Sequence, residues 1–550
     1  MSTEKKSVTI LDALIPITAL ILMLIASVSF YGADSSYGAN QIALLIAAFI
    51  AIMVGFKNNF TWKEMEAGIV KGISVSLGAI LILLLVGSLI GTWILAGTVP
   101  TMIYYGLQIL DPSIFYAAAC IVCAMVSISI GSSWTTAGTV GVALIGISGA
   151  LDMSLAITAG AIISGAYFGD KMSPLSDTTN LAPAVVGTDL FTHIRHMAWT
   201  TGPSIIIATS IFFVIGFMHE PSGSPASMGT TMELLQQQFN ITPWALIPLV
   251  LVLVLAFKQV PAFITLLIGS LVGGLFAILL QPTAIENSVK STLFSCTVQA
   301  ENVNSCTVDK IEGGELHTTL TLLDSTETAY VAPVSKGSAS QTIHASFNNN
   351  PIQINLEKRS RVGTAIDAVW RALFDGYKSD TGNATIDDLL SRGGMSSMLN
   401  TVWLIISAMT FGATLETIGL LQRLVKSILT LTKSTGSLIT AVIGTCIGTN
   451  IIAADQYIAI VIPGRMFRAE FKKRNLHPKN LSRVLEDSAT ITSPLIPWNT
   501  CGAYMAGVLG VPTLVYLPFC FFNIANPFIS ILYGITHFKI VKLNEDEPIG

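Results

Sequence analysis

SPLSDTTN, from Ser173 to Asn180, and SPLIPWNT, from Ser493 to Thr500, are two related octapeptides that lie within apolar parts of the chain. Each combines a proline with Ser, Thr and Asn residues. Proline breaks a helix, and in a membrane the freed backbone carbonyls must then find partners inside the protein. The pair therefore predicts two broken membrane helices, one in each half of an internal repeat.

The composition requires a membrane environment for the apolar segments. Only 11% of the 550 residues are charged and 52% are hydrophobic, whereas a soluble domain carries about 25% charged residues. The net charge of -4 gives no basic excess for a nucleic-acid partner, and no polar segment is large enough for a soluble catalytic domain. We therefore predict an all-α polytopic membrane protein that contacts lipid, binds no nucleic acid and is not an enzyme.

The order of the apolar runs is the same in both halves. Each half is predicted to contain two spans, a third span, an interfacial segment, a re-entrant hairpin, a broken helix and a final span, which gives about ten spans. Five crossings per half invert the second copy, and Lys and Arg in short loops place both termini in the cytoplasm. The first repeat is predicted at 1–218, with a hairpin at 114–150 and a broken helix at 155–183. The second repeat is predicted to begin with two spans at 242–280 and to continue at 396–540. Its hairpin is predicted at 437–462, with an interruption at Thr449-Asn450, and its broken helix at 485–510.

A polar insert, 281–394, separates the second and third spans of the second half, and the topology places it outside the cytoplasm. Alternating residues after His317 predict strands, and the apolar face of 362–377 predicts an amphipathic helix on the membrane surface. Cys296 and Cys306 are predicted to form a disulfide there. The other cysteines lie in apolar runs, and no Cys/His spacing indicates a transition-metal site.

Ionisable residues in membrane segments are costly unless they are paired or hydrated, and each is therefore a candidate functional residue. Asp177 is the first candidate for a site that binds a small hard cation or a proton, and Asp455 is its counterpart from the opposite half. Neutral oxygens complete the predicted site, namely those of Ser173, Thr178, Thr179, Asn180, Asn450, Ser493, Asn499 and Thr500. Asp170, Glu416 and Asp487 are secondary candidates, and Glu486 beside Asp487 is a further ionisable residue at the entrance of the second broken helix. Lys171 is expected to neutralise a neighbouring carboxylate.

Two further motifs allow other interpretations. Gly146-Ile147-Ser148-Gly149 matches a short nucleophile motif of intramembrane serine proteases, but no histidine lies in a predicted span as its partner, and small residues at a helix end are typical of close packing. His193 and His196 follow the first broken helix, where they fit either a solvated loop or a pH sensor.

Three long segments indicate a family. They are GAYFGDKMSPLSDTTNLAPAVVGTDLFTHIRHM from Gly165 to Met197, GTNIIAADQYIAIVIPGRMF from Gly448 to Phe467, and LEDSATITSPLIPWNTCGAYMAGVLGV from Leu485 to Val511. These segments resemble the NhaC-type Na+/H+ antiporters of the ion transporter superfamily, and the likeness extends over the chain outside the insert. It implies secondary antiport of Na+ against H+ across the bacterial inner membrane, with a role in pH homeostasis, and no cofactor besides the two transported ions. A homodimer is one assembly that fits.

The same family includes a malate/lactate branch, in which an organic acid is carried together with the ion exchange, and the motifs do not separate the two branches. A carboxylate substrate favours a cationic group or helix N-termini at the site, and apart from Lys171 no Lys or Arg falls within the predicted membrane core. We therefore favour a cation exchanger in which Na+ and H+ alternately occupy one site. The organic-acid antiporter is the alternative.

Overall fold

Long apolar helices form most of the protein. The computed structural model describes residues 7–218, 225–289, 360–379, 383, 387, 390–430 and 432–543, together with the backbone of six strands between 294 and 358. Within these residues, eight helices are long and apolar enough to cross a membrane, and ten spans result if each of two bent helix pairs counts as one. Their outward faces expose large apolar side chains such as Phe49, Ile206 and Leu271. A surface of this kind is one that lipid covers, so the predicted membrane class is confirmed.

The first half starts with three long helices and ends with a fourth. In chain order its helices are α1 (Ile10–Tyr31), α2 (Ala39–Lys57), α3 (Trp62–Leu95), α4 (Thr98–Ile109), α5 (Phe115–Ile130), α6 (Ser133–Thr136), α7 (Val142–Ala150), α8 (Leu155–Met172), α9 (Asp177–Val186) and α10 (Leu190–Met218). Short 3-10 helices lie at Gly32–Tyr37 and Pro112–Ile114, and a π-helical turn, Ala137–Gly141, joins α6 to α7.

The second half repeats this order around the insert. Its helices are α11 (Pro225–Gln238), α12 (Ile247–Phe257), α13 (Ala262–Leu280), α14 (Pro282–Ser288), α15 (Arg361–Phe374), α16 (Leu399–Ile418), α17 (Leu420–Leu429), α18 (Thr435–Ala453), α19 (Gln456–Lys473), α20 (Pro478–Leu485), α21 (Thr500–Leu509), α22 (Thr513–Tyr516) and α23 (Phe521–Thr536). Further 3-10 helices lie at Pro243–Leu246, Met395–Met398, Ser493–Leu495 and Leu517–Phe519, and a second π-helical turn lies at Glu486–Thr490.

Strands occur, within the described residues, in the insert alone. They are β1 (Phe294–Gln299), β2 (Val303–Glu312), β3 (Glu315–Leu322), β4 (Glu327–Pro333), β5 (Ser340–Phe347) and β6 (Asn350–Lys358). They form two antiparallel sheets with the strand orders β1-β6-β5 and β2-β3-β4, and β3 and β4 confirm the strands predicted after His317. Helix α15 exposes Val362, Ile366, Trp370 and Phe374, as expected of a helix that lies on a membrane surface.

Reciprocal packing relates the two halves. Helix α2 packs against α16, the third long helix of the other half, and α13 packs in the same way against α3. Helix α9 packs against α19, while α21 packs against α7 and the π-helical turn before it. Each half therefore supplies equivalent elements to the opposite half, which is the arrangement expected of an inverted repeat. The residue boundaries of the two repeats stay a prediction.

The two hairpins turn at equivalent positions. In the first hairpin (Phe115–Ala150), α5 ends at Gly131, whose φ is 73°, and in the second hairpin (Thr435–Lys473), α18 ends at Ala454, whose φ is 56°. The predicted interruption at Thr449-Asn450 is wrong, because α18 continues through both residues. The hydroxyl of the threonine donates to a carbonyl of its own helix, so a polar residue is accommodated there without a break. The first arm of each hairpin is itself among the eight helices of spanning length.

Candidate ion-binding site

Each hairpin turn presents a side chain that caps the second arm. In the first hairpin, Ser132 Oγ accepts a hydrogen bond from Thr135 N at 3.2 Å. In the second hairpin, Asp455 Oδ1 accepts a hydrogen bond from Ile458 N at 3.0 Å. The two positions are equivalent in the backbone, but only the second carries a carboxylate. The repeat therefore supports different charges on the same local structure.

Both broken helices also resume at a capping residue. After the first break, Ser176 Oγ accepts a hydrogen bond from Thr179 N at 3.4 Å at the start of α9. After the second break, Asn499 Oδ1 accepts a hydrogen bond from Cys501 N at 3.0 Å at the start of α21. The caps satisfy backbone donors that the broken helix leaves open.

The second break meets the second hairpin turn directly. Asn499 Nδ2 donates to Asn450 O at 3.1 Å and to Asn450 Oδ1 at 3.2 Å. Thr500 N donates at 2.9 Å to the carbonyl of Ala454, the residue before Asp455. The asparagine on α18, the capping carboxylate and the start of α21 therefore lie together in the interior.

Further hydrogen bonds attach this group to the rest of the second broken helix. Ser493 Oγ donates to Gln456 Oε1 at 3.3 Å, and Asn450 Nδ2 donates to Ala489 O at 2.6 Å. Five of the predicted ligands are thus brought together, and each is at most 3% exposed. We refer to them as the second-half cluster, which comprises Asn450, Asp455, Ser493, Asn499 and Thr500. Buried oxygens of this density, with one carboxylate, suit a small hard cation.

The candidates from the first half are divided between interior and surface. Thr179 is buried, and its Oγ1 donates to Asp170 O at 3.2 Å and to Lys171 O at 3.1 Å. Asp177 is exposed, and Asn180 is exposed too, with its Nδ2 donating to a carbonyl of the break at 2.7 Å. The other predicted ligands of this half, both buried, are Ser173 and Thr178. The first candidate carboxylate therefore lies at the surface, in contrast to Asp455.

Asp170 supplies a buried carboxylate to the first hairpin turn. Its Oδ2 accepts hydrogen bonds from Ser133 N at 3.1 Å and from Ser133 Oγ at 2.6 Å. The first hairpin thus receives its carboxylate from the neighbouring broken helix, whereas the second hairpin carries its own. Ser133 is absent from the predicted ligands, and the signal that could have found it is its position in the polar stretch after Gly131.

A buried ion pair joins the two broken helices. Lys171 Nζ contacts Asp487 Oδ1, and both side chains are fully buried. Asn526 Oδ1 accepts a hydrogen bond from the same ammonium at 3.1 Å, Thr200 Oγ1 donates to the carboxylate at 2.9 Å, and Arg483 Nε lies 3.8 Å from its other oxygen. The carboxylate that neutralises Lys171 therefore comes from the opposite half and not from its own helix. Adjacent residues on a helix point in different directions, which separates Lys171 from the carboxylate beside it in sequence.

Two further charged residues, Arg483 and Glu486, lie next to this ion pair. Arg483 is fully buried, with its guanidinium 5.9 Å from the centre of the Tyr533 ring and its Nη1 donating to Lys539 O at 3.2 Å. Glu486 is fully buried as well. Glu486 is one of the predicted ionisable candidates, whereas Arg483 is absent from the predicted site, and the available signal for it is its place at the entrance of the predicted broken helix. No sequence signal indicates Thr200 or Asn526, which are ordinary polar residues of long helices.

The two histidines after the first broken helix are not in a loop. His193 and His196 lie within α10, and both are buried. His193 Nδ1 is 2.8 Å from Ser482 Oγ. The solvated-loop interpretation is wrong, because the helix begins before both residues and packs them against α20.

Two other residues singled out in the sequence, Ser148 and Glu416, lie outside the clusters described above. Ser148 Oγ lies 2.7 Å from Thr158 Oγ1, a contact that holds two helices together and gives no support to a nucleophile. Glu416 is exposed.

Among the described residues five cysteines are free and buried, namely Cys120, Cys123, Cys446, Cys501 and Cys520. The side chains of Cys296 and Cys306 lie outside the described part of the structure, so their disulfide stays a prediction.

Comparison with known proteins agrees with this architecture. The sequence profile of the Na+/H+ antiporter family matches residues 165–314 and 361–538. The NhaC Na+/H+ antiporter of Alkalihalophilus pseudofirmus is 34% identical over 503 residues, which cover 91% of each chain. NhaC of Bacillus subtilis is 34% identical over 87% of this chain and 88% of its own. The malate-2H+/Na+-lactate antiporter of Bacillus subtilis is 32% identical over 90% of this chain and 89% of its own. The chain therefore belongs to the Na+/H+ antiporter family.

Proposed function

We propose that this protein exchanges Na+ for H+ across the bacterial inner membrane and thereby contributes to pH homeostasis. Family membership supports the exchange of these two ions. The distribution of Lys and Arg in short loops supports the orientation in which both termini are cytoplasmic. The exposed apolar faces of the long helices support direct contact with lipid, and a homodimer stays a prediction.

The observation that carries this proposal is the second-half cluster. It combines one carboxylate, two amide side chains and two hydroxyls, all buried, at the contact between a hairpin turn and a helix break. Na+ leaves water only if oxygens of the protein replace its hydration shell. We infer that Na+ binds between Asp455 and the side chains of Asn450 and Asn499.

Exchange follows from the cost of a buried charge. An ionised carboxylate within the membrane is unfavourable unless a cation or a proton balances it. The protein is therefore expected to cross between its two accessible states when either a cation in the second-half cluster or a proton balances its buried carboxylates, and to resist crossing when neither ion is bound. Because Na+ binding and H+ binding exclude each other, movement of one ion in one direction requires the other to return.

Asp177 has a different role in this mechanism from Asp455. Its carboxylate is exposed at the first turn of α9, so water can hydrate it without help from the protein. We propose that it attracts the cation to the first break and that Thr178 and Thr179 lie along the same route. Asp455 is then the carboxylate that holds the dehydrated ion.

The organic-acid antiporter remains the second candidate because the malate/lactate relative covers a similar share of the chain. A transported carboxylate needs a cationic partner in the membrane. Lys171 is not the sole buried cation near the breaks, contrary to the expectation from the sequence, because Arg483 is fully buried too. Asp487 and Asn526 already bind Lys171, and Arg483 lies 3.8 Å from the same carboxylate. This observation favours exchange of cations alone.

Proton movement in inverted membrane vesicles tests the proposal. Vesicles with an acidified lumen and a pH-sensitive dye are given Na+ alone, and then Na+ together with malate or lactate. We expect Na+ alone to release protons from the lumen, because the second-half cluster needs no organic acid to bind the cation. A response that appears only when the organic acid is added would instead assign the protein to the malate/lactate branch.

A further inference from the structure

Glu486 lies in the second π-helical turn and is the one buried carboxylate, among the residues that the structure describes, whose oxygens both lack a hydrogen bond of normal geometry. The nearby donor is the Thr490 hydroxyl of the same turn. The other buried carboxylates, Asp12, Asp170, Asp455 and Asp487, each accept at least one hydrogen bond. A buried carboxylate that accepts no hydrogen bond of normal geometry is costly as an anion. The negative charge of Glu486 must therefore be balanced by a nearby cation or by a bound proton.

Glu486 belongs to a group of five buried charges around the ion pair. The group contains two cations, Lys171 and Arg483, and three carboxylates, Asp170, Glu486 and Asp487, which interact electrostatically. One negative charge is therefore left over. A single proton neutralises the group, and Glu486, the carboxylate with the weakest hydrogen bonding, is the member that gains most from binding it.

The position of Glu486 favours a proton over Na+. A proton needs one oxygen atom, whereas Na+ needs a shell of several oxygens. The described residues offer such a shell in the second-half cluster, where Asn450, Asp455 and Asn499 meet. We propose that Glu486 binds the transported proton at a position separate from the second-half cluster. This inference rests on the proposed Na+/H+ exchange.

The second π-helical turn connects the two positions. It begins at Glu486, and its carbonyl at Ala489 accepts the hydrogen bond from Asn450 Nδ2 at 2.6 Å. Turns of this kind are irregular and are frequent at functional sites. A change of charge at Glu486 therefore acts on the same short turn that positions an amide of the cation site, and proton binding can lower the affinity for Na+.

Other titratable and charged groups surround this turn. Those that face it are Asp170 and Lys171 on α8, His193 and His196 on α10, Cys446 on α18, Lys479 and Arg483 on α20, Asp487 on the turn itself and Tyr533 on α23. The two cations nearest to Glu486 share Asp487 as their partner. Because neither cation pairs directly with Glu486, a proton is the ion that can neutralise its carboxylate.

The test uses the purified full chain in proteoliposomes and measures two fluxes. Exchange of external Na+ for internal radioactive Na+ needs no proton, whereas Na+-driven movement of protons reports coupling. Glu486→Gln imitates the protonated side chain in shape and charge. We expect this variant to keep Na+/Na+ exchange at saturating Na+, to lose at least about tenfold of the proton movement, and to show a Na+ KM that no longer changes with pH. Glu66→Gln, at an exposed glutamate of α3, is the matched control and should behave as the unchanged protein.

Each other outcome overturns the proposal. A folded Glu486→Gln variant that still moves protons, or whose Na+ KM depends on pH as before, excludes Glu486 as the proton-binding residue. Loss of Na+/Na+ exchange at saturating Na+ would place it in the cation site. If Glu486→Gln does not fold, Glu486→Asp takes its place because it keeps the carboxyl group, and a Na+ KM with the same pH dependence as in the unchanged protein then contradicts the proposal. If the unchanged protein moves no protons on addition of Na+, the proposed function itself fails, and that result is visible before any variant is compared.

Discussion

The two hairpin turns have the same backbone and different chemistry. Both end their first arm in a left-handed residue and cap their second arm with a side-chain oxygen, but the cap is Ser132 in one half and Asp455 in the other. In the first half the buried carboxylate is Asp170, which the broken helix supplies. An inverted repeat thus fixes where oxygens are presented, while individual side chains decide which turn carries its own carboxylate.

The largest expected effect comes from removing the charge that distinguishes the second turn. Asp455→Asn keeps an oxygen that can cap α19 but removes the carboxylate from the second-half cluster. We expect Na+-driven proton movement to fall at least about 100-fold, since a buried cation loses its counter-charge. The measurement is dye dequenching in proteoliposomes with equal amounts of folded protein.

Asp177→Asn is the comparison for that variant. Because Asp177 is exposed, we expect a smaller loss that raises the KM for Na+ more than it lowers the maximal rate. An equal loss in both variants would contradict the division of roles between the two carboxylates.

The second effect concerns the charges that join the halves. Lys171→Met leaves Asp487 buried without its ammonium, and we expect a loss of about 3–5 kcal/mol of stability. Thermal unfolding in detergent measures it, and the double variant Lys171→Met with Asp487→Asn should recover most of the loss.

An exposed ion pair provides the control for this experiment. Lys57 Nζ lies 2.6 Å from Asp12 Oδ1, but the lysine side chain is 66% exposed. Lys57→Met should therefore cost no more than about 1 kcal/mol. Equal losses for the two lysines would show that burial does not set the strength of the Lys171–Asp487 pair.

The smallest expected effect is a difference in stability between substitutions at Gly131 and at Ala454, the two left-handed residues of the hairpin turns. Gly131→Ala introduces a Cβ that would lie 2.6 Å from Leu175 Cβ in a conformation that favours glycine, and we expect a cost of about 2 kcal/mol. Ala454→Gly removes the same backbone strain and should change stability by less than about 1 kcal/mol. Differential scanning fluorimetry distinguishes these results, and a greater loss for Ala454→Gly would show that the two turns are not equivalent.

The fold could be predicted largely from the sequence because bilayer physics leaves few choices. Apolar length, prolines within apolar runs and the repeated octapeptides determine the helix order, and strands β3 and β4 of the insert follow from alternation. The position of the second turn could not be predicted in this way. Thr449 satisfies its hydroxyl within the helix, while Ala454 adopts a conformation that its side chain does not favour.

The candidate site was less accessible to sequence reasoning. Spacing places Asn450 and Asn499 on neighbouring elements, so their approach was predictable. The partner of Lys171 was not, because Asp487 is far away in the chain and only the packing of the two halves brings them together. The exposure of the two candidate carboxylates could not be predicted either. Asp177 and Asp455 have similar polar neighbours in the sequence, but Asp177 is exposed and Asp455 is buried in the structure.

Helices α14 and α15, which flank the strands of the insert, pack against each other. The chain therefore leaves the membrane part and returns to it at one place, and the helices around that place do not depend on the length of what lies between. Insertions with adjoining ends tolerate replacement. The stretch of strands between α14 and α15 is accordingly a natural attachment point, where an epitope, a fluorescent protein or a rigid binding partner could be grafted to enlarge a membrane protein for imaging.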